Sequence, residues 1–222
     1  MSRSKLRLDN KVIYGCFRRL LQKHFRELKP DEIHVHEVVQ CLRKSYYERK
    51  YYSKRYEHIS DTKSVILGLG LAVHEALENI FSRVLGAECE KEFVKTVYIA
   101  GNDIKVVGTV DLWINGTVVD LKTVNKIPDR PYDHHILQLQ MYMWLTDTDT
   151  AYVVYICKRD GRVRVHGVVR DQRVIDRLID RVAVFYKHLR DDTVPPPEET
   201  ILCKYCEYSL DCFTNGKSGG GG

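Results

Sequence analysis

The sequence contains no stretch approaching the roughly 20 consecutive apolar residues that cross a bilayer, so no membrane association is expected. Its first ten residues, Met1 to Asn10, are charged and lack an apolar centre, unlike a secretory leader; a cytoplasmic protein is expected. There is no Gly-x-x-x-x-Gly-Lys-Ser/Thr phosphate loop, which argues against a built-in nucleotide-driven motor. There is no self-similar period of solenoid length. Proline is scarce, and three of the six prolines form one run, Pro195 to Pro197, which stiffens a connector.

The 222 residues are 44% hydrophobic and 29% charged, enough to bury the core of one sizeable α/β domain and too apolar for global disorder. A net charge of +5 is compatible with a polyanionic partner without establishing one. Seven cysteines are an odd number, and three cluster near the end of the chain. In a reducing compartment such a cluster points to metal more than to disulfides.

Apolar periodicity predicts helices over Lys11 to Leu28, Val35 to Tyr52, Lys63 to Leu85, Tyr132 to Leu145 and Asp171 to Leu189. Gly86 stops the third and Asp171 caps the last. Period-two alternation predicts strands over Glu92 to Ala100, Ile104 to Asn115, Thr117 to Val124, Thr150 to Lys158 and Arg162 to Val169. The natural packing is a mixed five-stranded sheet flanked by helices, with the helix after Val124 as a crossover between parallel strands. The chain divides into an N-terminal helical region (1–62), an α/β core (63–192), a cysteine segment (193–215) and a flexible tail (216–222).

Asn115-Gly116 is the strongest turn signal, because a type I′ turn requires positive φ at both central residues. That turn places Asp111 opposite Asp120 on the neighbouring strand, as a pair without mutual backbone hydrogen bonds. Two opposed carboxylates among Val110, Leu112, Val119 and Leu121 repel in poorly solvated surroundings. A divalent cation relieves that cost, and hard Mg²⁺ or Mn²⁺ prefers carboxylate oxygen. Lys122, two residues beyond Asp120, projects from the same face. Two oxygen ligands and an ammonium suit phosphodiester hydrolysis, with Lys122 orienting water or stabilising developing charge. A structural ion-pair cluster is the bland alternative.

His74 falls in mid-helix, readable as a satisfied core histidine or as a third metal ligand. Gln138 and Tyr142 share one helical face: Tyr142 packs or contacts DNA, and Gln138 faces solvent or holds Lys122 or substrate. Cys203-x-x-Cys206 followed by Cys212 offers three thiolates, and a fourth must come from Cys16, Cys41, Cys89 or Cys157. Lys11 to Lys29 and Arg43 to Arg55 are basic. The second interleaves Tyr46, Tyr47, Tyr51 and Tyr52, with Tyr56 beyond it. Such a stretch either binds single strands or turns its tyrosines inward.

Gly70-x-x-x-His74, Gly108-Thr109-Val110-Asp111, Asp120-Leu121-Lys122 and Gln138-x-x-x-Tyr142 resemble, in order and spacing, the motifs of RecB-like PD-(D/E)XK nucleases. The resemblance implies a restriction-endonuclease-like core. It also implies metal ligation by His74, Asp111, Asp120 and the Leu121 backbone carbonyl, catalysis by Lys122, and DNA contacts from Gln138 and Tyr142. The cysteines resemble those of iron–sulfur RecB-type nucleases, in which an early cysteine before a basic-aromatic stretch joins the late three. That matches Cys41 with Cys203, Cys206 and Cys212. The resemblance favours [4Fe–4S], although four thiolates equally suit [2Fe–2S] or Zn²⁺. Clipping loops of this size contributes on the order of 5 kcal/mol.

Over about residues 35 to 213 the chain is most similar to the CRISPR-associated RecB-like exonucleases of spacer acquisition. That implies trimming of DNA ends, chiefly single-stranded, alongside CRISPR integrase proteins. Self-association stays open. The rivals are a RecB-like repair or phage nuclease outside CRISPR, and a zinc-bound, non-catalytic nucleic-acid-binding module.

Overall fold

The computed structural model describes residues 9–24, 28–51 and 59–214. Phe25, Tyr52, Tyr56 and the 216–222 tail lie outside the described residues. In chain order the elements are α1 (Asn10–His24), β1 (Glu32–His34), α2 (Val35–Val39), α3 (Leu42–Lys50), α4 (Asp61–Leu85), β2 (Glu88–Ile99), β3 (Asn102–Ile114), β4 (Thr117–Val124), α5 (Asp133–Thr146), β5 (Thr150–Cys157), β6 (Val163–Val169) and α6 (Gln172–Arg190). A 3₁₀ turn (Ile201–Tyr205) and α7 (Ser209–Thr214) close the described chain.

The sheet is mixed and flanked by helices as expected, with six strands rather than five. The unforeseen strand is β1, whose three residues are too few to show alternation; it pairs in parallel with β3 at Lys105 to Val107. β2 runs antiparallel along β3 from Asn102 to Trp113. β1 and β4 must therefore share the other edge of β3. The pairing with β4 is antiparallel and covers Leu112↔Val119, Trp113↔Val118 and Ile114↔Thr117. Asn115 (φ 48°) and Gly116 (φ 82°) form the intervening turn, which gives the register expected from the sequence. After the α5 crossover, β5 lies parallel to β4, and β6 returns antiparallel to β5.

The main core lies where α2, α5 and α6 cover the sheet, and includes Val106, Val110, Leu139, Met141, Met143, Tyr155 and Phe185. Its closest approach is at Gly108, where a Cβ would come within 2.5 Å of Leu145 Cδ1 and 3.1 Å of Tyr142 Cε1. Only glycine lets α5 pack this near to β3. A smaller apolar cluster of Ala87, Leu112 and Leu121 takes Leu77 and Phe81 from α4.

α4 is capped at both ends: Ser60 accepts from the Lys63 N–H, and Gly86 takes the left-handed conformation at φ 65°. Contrary to the sequence expectation, α4 is long and apolar enough, by length and composition, to cross a membrane. Here it packs on α1, β2, β3 and β4 instead.

The helix expected over Val35 to Tyr52 is broken. Gln40 and Cys41 are non-helical, and α3 starts afresh at Leu42. The break is held from far along the chain. Arg181 of α6 donates to the carbonyls of Val38 and Gln40, each at 2.9 Å, and Glu198 accepts the Leu42 N–H at 3.3 Å. These bonds satisfy helix-end groups that would otherwise favour continuation. Tyr46 and Tyr47 are 2% and 3% exposed, so they take the inward-packing reading and offer no platform for bases.

Candidate metal and catalytic site

The site forms where β3 loses its neighbours. Pairing with β4 covers nothing beyond Leu112↔Val119, and pairing with β2 skips Glu90, between Cys89↔Leu112 and Lys91↔Val110. Asp111 lies in that gap. The expected backbone-to-backbone opposition of Asp111 and Asp120 is thereby altered: the Asp111 carboxylate itself accepts the Leu121 N–H, at 2.7 Å. β4 is thus held to β3 through a side chain at the point where the strands part, and Asp111 stays beside Asp120.

Asp120 is fully buried. Lys122 Nζ donates to its Oδ1 at 2.8 Å, while its Oδ2 has no hydrogen-bond partner among the described residues. Burial pushes the Asp120 carboxyl up to about 7; Lys122 opposes this and Asp111 adds to it. Burial alone would raise Asp111 too, but His74 and Lys122 outweigh it and hold Asp111 below the usual carboxylate range. Burial would lower Lys122, but Asp120 and Asp111 keep its ammonium above its ordinary range.

α4 brings His74 to the same place. Its Nε2 lies 3.2 Å from Asp111 Oδ2 and 3.3 Å from the Leu121 carbonyl oxygen. The Asp111 hydrogen bond raises the His74 imidazole to about 9 against the opposing effect of burial. Imidazole nitrogen, two carboxylates and a backbone carbonyl therefore converge. A buried carboxylate oxygen without a donor, next to a second carboxylate, is the donor chemistry a hard divalent cation fits.

The α5 pair sits close by, with Tyr142 packed inward as one of the two readings had it and Gln138 bonded to it rather than to solvent or Lys122. Gln138 Nε2 donates to Tyr142 Oη at 2.8 Å, rather than Gln138 holding Lys122. Tyr142 is 4% exposed, so a base cannot stack on it in this conformation. Burial first, then Asp120 and Asp111, raise its phenol well above the ordinary value.

Sequence reasoning missed Glu78 and Glu90. His74, Glu78 and Glu90 offer donor atoms all within 4.8 Å of one another. Glu78 stands one helical turn after His74, and the β2–β3 register leaves Glu90 opposite Asp111; both signals were readable. Burial and then Glu90 push the Glu78 carboxyl up to about 7. His135 was also missed. Its Nδ1 contacts Tyr155 Oη at 2.7 Å, and burial, Lys122 and His134 drive it down to about 3, so it is neutral at neutral pH.

A cleft of about 860 Å³ runs from this site to the cysteines. His74, Asp111, Leu121 and Lys122 line it together with Cys41, Cys203, Cys206 and Cys212 and the basic residues Arg43, Lys44, Lys63 and Lys158. Cys41 occupies the α2–α3 break, Cys203 lies in the 3₁₀ turn, Cys206 directly follows it, and Cys212 lies in α7. Burial, with Cys41 nearby, raises the Cys206 thiol. The Thr200 N–H donates to Cys203 Sγ at 3.4 Å, and Arg43 Nη1 lies 3.9 Å from Cys212 Sγ. The other thiols are elsewhere: Cys89 donates to the Glu78 carbonyl, Cys157 is buried and donates to the Asn125 carbonyl, and Cys16 is exposed on α1.

The model of the PD-(D/E)XK nuclease superfamily matches residues 17–213, most of the chain. The chain belongs to the PD-(D/E)XK nuclease superfamily. It is thus a nuclease of a family that uses divalent metals. The CRISPR-associated exonuclease Cas4 of Saccharolobus solfataricus is 27% identical over 201 residues, covering 86% of this chain and 93% of that protein. The crystal structure of SSO0001 superposes with a TM-score of 0.73 at 25% identity, covering 90% of this chain and 95% of that one. The motif resemblance read from the sequence is upheld over nearly its whole span.

Proposed function

We propose that the protein is a divalent-metal-dependent DNA exonuclease acting chiefly on single-stranded ends, working in the cytoplasm with CRISPR integrase proteins during spacer acquisition. The observation that carries the catalytic part is the partnerless, fully buried oxygen of Asp120, beside Asp111 and Lys122. A cation held by His74, Asp111, Asp120 and the Leu121 carbonyl would polarise a phosphoryl oxygen and acidify a water. Lys122, anchored by Asp120, places its ammonium to orient the attacking water or to meet charge developing on the phosphate. Gln138 and Tyr142 brace the α5 side of the site. Of the cleft's basic residues, Lys158 is exposed and suits a phosphate backbone, whereas Arg43, Lys44 and Lys63 are engaged by the Pro195 and Cys212 carbonyls, Glu48 and Glu207. The CRISPR role is supported by likeness to the Saccharolobus exonuclease.

Cys41, Cys203, Cys206 and Cys212 would hold an iron–sulfur cluster, [4Fe–4S] in preference to [2Fe–2S], serving as a structural clip. Their shared place in the lining of one cleft supports this. Absorbance near 400 nm is expected of the purified protein, and a colourless protein with stoichiometric zinc would overturn the cluster. The catalytic reading is tested on end-labelled single and double strands with Mg²⁺ or Mn²⁺. Wild type should shorten single strands progressively from an end, and Asp120→Ala should not. Cleavage unaffected by EDTA would defeat the proposal.

A further inference from the structure

Glu78 is not among the groups that face the proposed cation, yet it is 9% exposed and lies against the far side of a ligand. His74 Nδ1 lies 2.8 Å from Glu78 Oε1, while His74 Nε2 faces Asp111 and the Leu121 carbonyl. The contact is one of charge and position: among the described residues, Glu78 Oε1 completes no hydrogen bond. Glu90 reaches Glu78 from β2, and Cys89 Sγ donates to the Glu78 backbone carbonyl at 3.3 Å, tying that turn of α4 to the strand beside Asp111.

His74, Glu78 and Glu90 could also be read as a cation site of their own. The ring geometry argues otherwise. One imidazole does not serve two cations through opposite nitrogens without losing both protons, and Nε2 already faces the better oxygen set. A histidine ligand whose other nitrogen donates to a carboxylate has its tautomer and ring angle fixed, and its ligating nitrogen becomes more basic.

We infer that Glu78 is a positioning residue: its carboxylate lies against the Nδ1 side of His74, favours the tautomer with the proton there, keeps the Nε2 lone pair aimed between Asp111 and Leu121, and has Glu90 beside it. The inference rests on the proposed cation site and adds to it a supporting carboxylate one helical turn away. It also accounts for an acidic residue buried on an otherwise apolar helix, where an unpaired carboxylate would be costly.

The test is Mn²⁺ affinity of the full chain, read from free Mn²⁺ by electron paramagnetic resonance, with unfolding followed in EDTA. Glu78→Leu should weaken Mn²⁺ binding by about 10- to 100-fold. Glu78→Gln keeps an oxygen facing Nδ1 and should stay within a few-fold of wild type. Its EDTA melting curve should also match wild type, so a folding defect in Glu78→Leu would leave the glutamine variant to decide. Wild-type affinity in Glu78→Leu would overturn the inference. Equal loss in both variants would do so as well, because the carboxylate charge would then be required rather than an oxygen facing Nδ1. Asp120→Ala serves as the reference: if Mn²⁺ binding ignores that change, the cation site itself is wrong, and if only the Glu78 variants are silent, the site stands without this support.

Discussion

The two ends of the long cleft are built on opposite principles. At the nuclease end the side chains interlock: Asp111 takes the Leu121 N–H, Lys122 takes Asp120, and His74 spans Asp111 and Glu78. Three strands and a 25-residue helix hold these groups before any ion arrives. At the cysteine end the 3₁₀ turn and α7 are lightly packed apart from Tyr208 between them, which is 1% exposed in the main core: Ile201, Tyr205 and Leu210 are 72%, 74% and 81% exposed. That segment is tied back by long-range polar contacts, chiefly Arg43 to the carbonyls of Pro195 and Cys212, Arg181 to Glu198, and Lys63 to Glu207. A sheet can preform a site at the cost of crowding charge, whereas a short peripheral segment relies on contacts made to it from far along the chain.

The largest expected effect is catalytic. Asp111→Ala, Asp120→Ala and Lys122→Ala should each lower the cleavage rate by on the order of 10²-fold or more while DNA binding largely survives. Unchanged rates in all three would erase the distinction, because the preformed end would then have no chemistry. Next comes Cys203→Ala, expected to lower the melting temperature and to free the C-terminal segment to proteolysis while the nuclease core keeps its far-ultraviolet circular dichroism. A melting curve like that of wild type would contradict the clip.

A smaller effect is expected at the core support of the nuclease end. Gly108→Ala forces Leu145 or α5 outward and should cost about 1–3 kcal/mol in denaturant unfolding. Arg43→Ala leaves the Pro195 and Cys212 carbonyls without this donor and should cost about 1–3 kcal/mol, appearing first as protease sensitivity beyond residue 193. If both variants opened the same segment, the two ends would be one cooperative unit.

The smallest effect is pH dependence without metal. Asp120 at about 7 and His74 at about 9 both sit above their unfolded values, so at these two groups the folded state binds more protons than the unfolded chain. His135, held down to about 3, works the other way between about 3 and 6.5 and opposes Asp120 there, so the clear window is that of His74: stability in EDTA should fall as pH rises from about 6.5 to 9. Divalent ions bind the deprotonated groups, so they should restore more stability at the alkaline end. A flat or rising melting temperature in EDTA over that interval would show that the acids do not raise His74.

Some of this was legible because it is local. The strands from β2 to β6 follow period-two alternation, and the turn at Asn115-Gly116 sets a register that can be counted residue by residue. The nearness of Asp111, Asp120 and Lys122 followed from that counting. Other features were hidden because their cause lies far along the chain. The break at Cys41 depends on Arg181 and Glu198, more than 130 residues away. The inward packing of Tyr46 and Tyr47 depends on the large core, to which Tyr208 from the chain's far end also belongs.

The amino-acid order alone determined the sheet-and-helix alternation, the tight turn between the aspartates, and the face shared by Asp120 and Lys122. These depend on backbone dihedral preference and side-chain period, which act over a few residues. Only the tertiary structure decided that β1 and β4 would divide one edge of β3, leaving Asp111 to bond Leu121 through its side chain. Only it set Glu78 and Glu90 behind His74, and gathered four cysteines from two distant segments. Those outcomes depend on which surfaces compete for the same strand edge and the same buried space, a competition settled only when the whole chain packs.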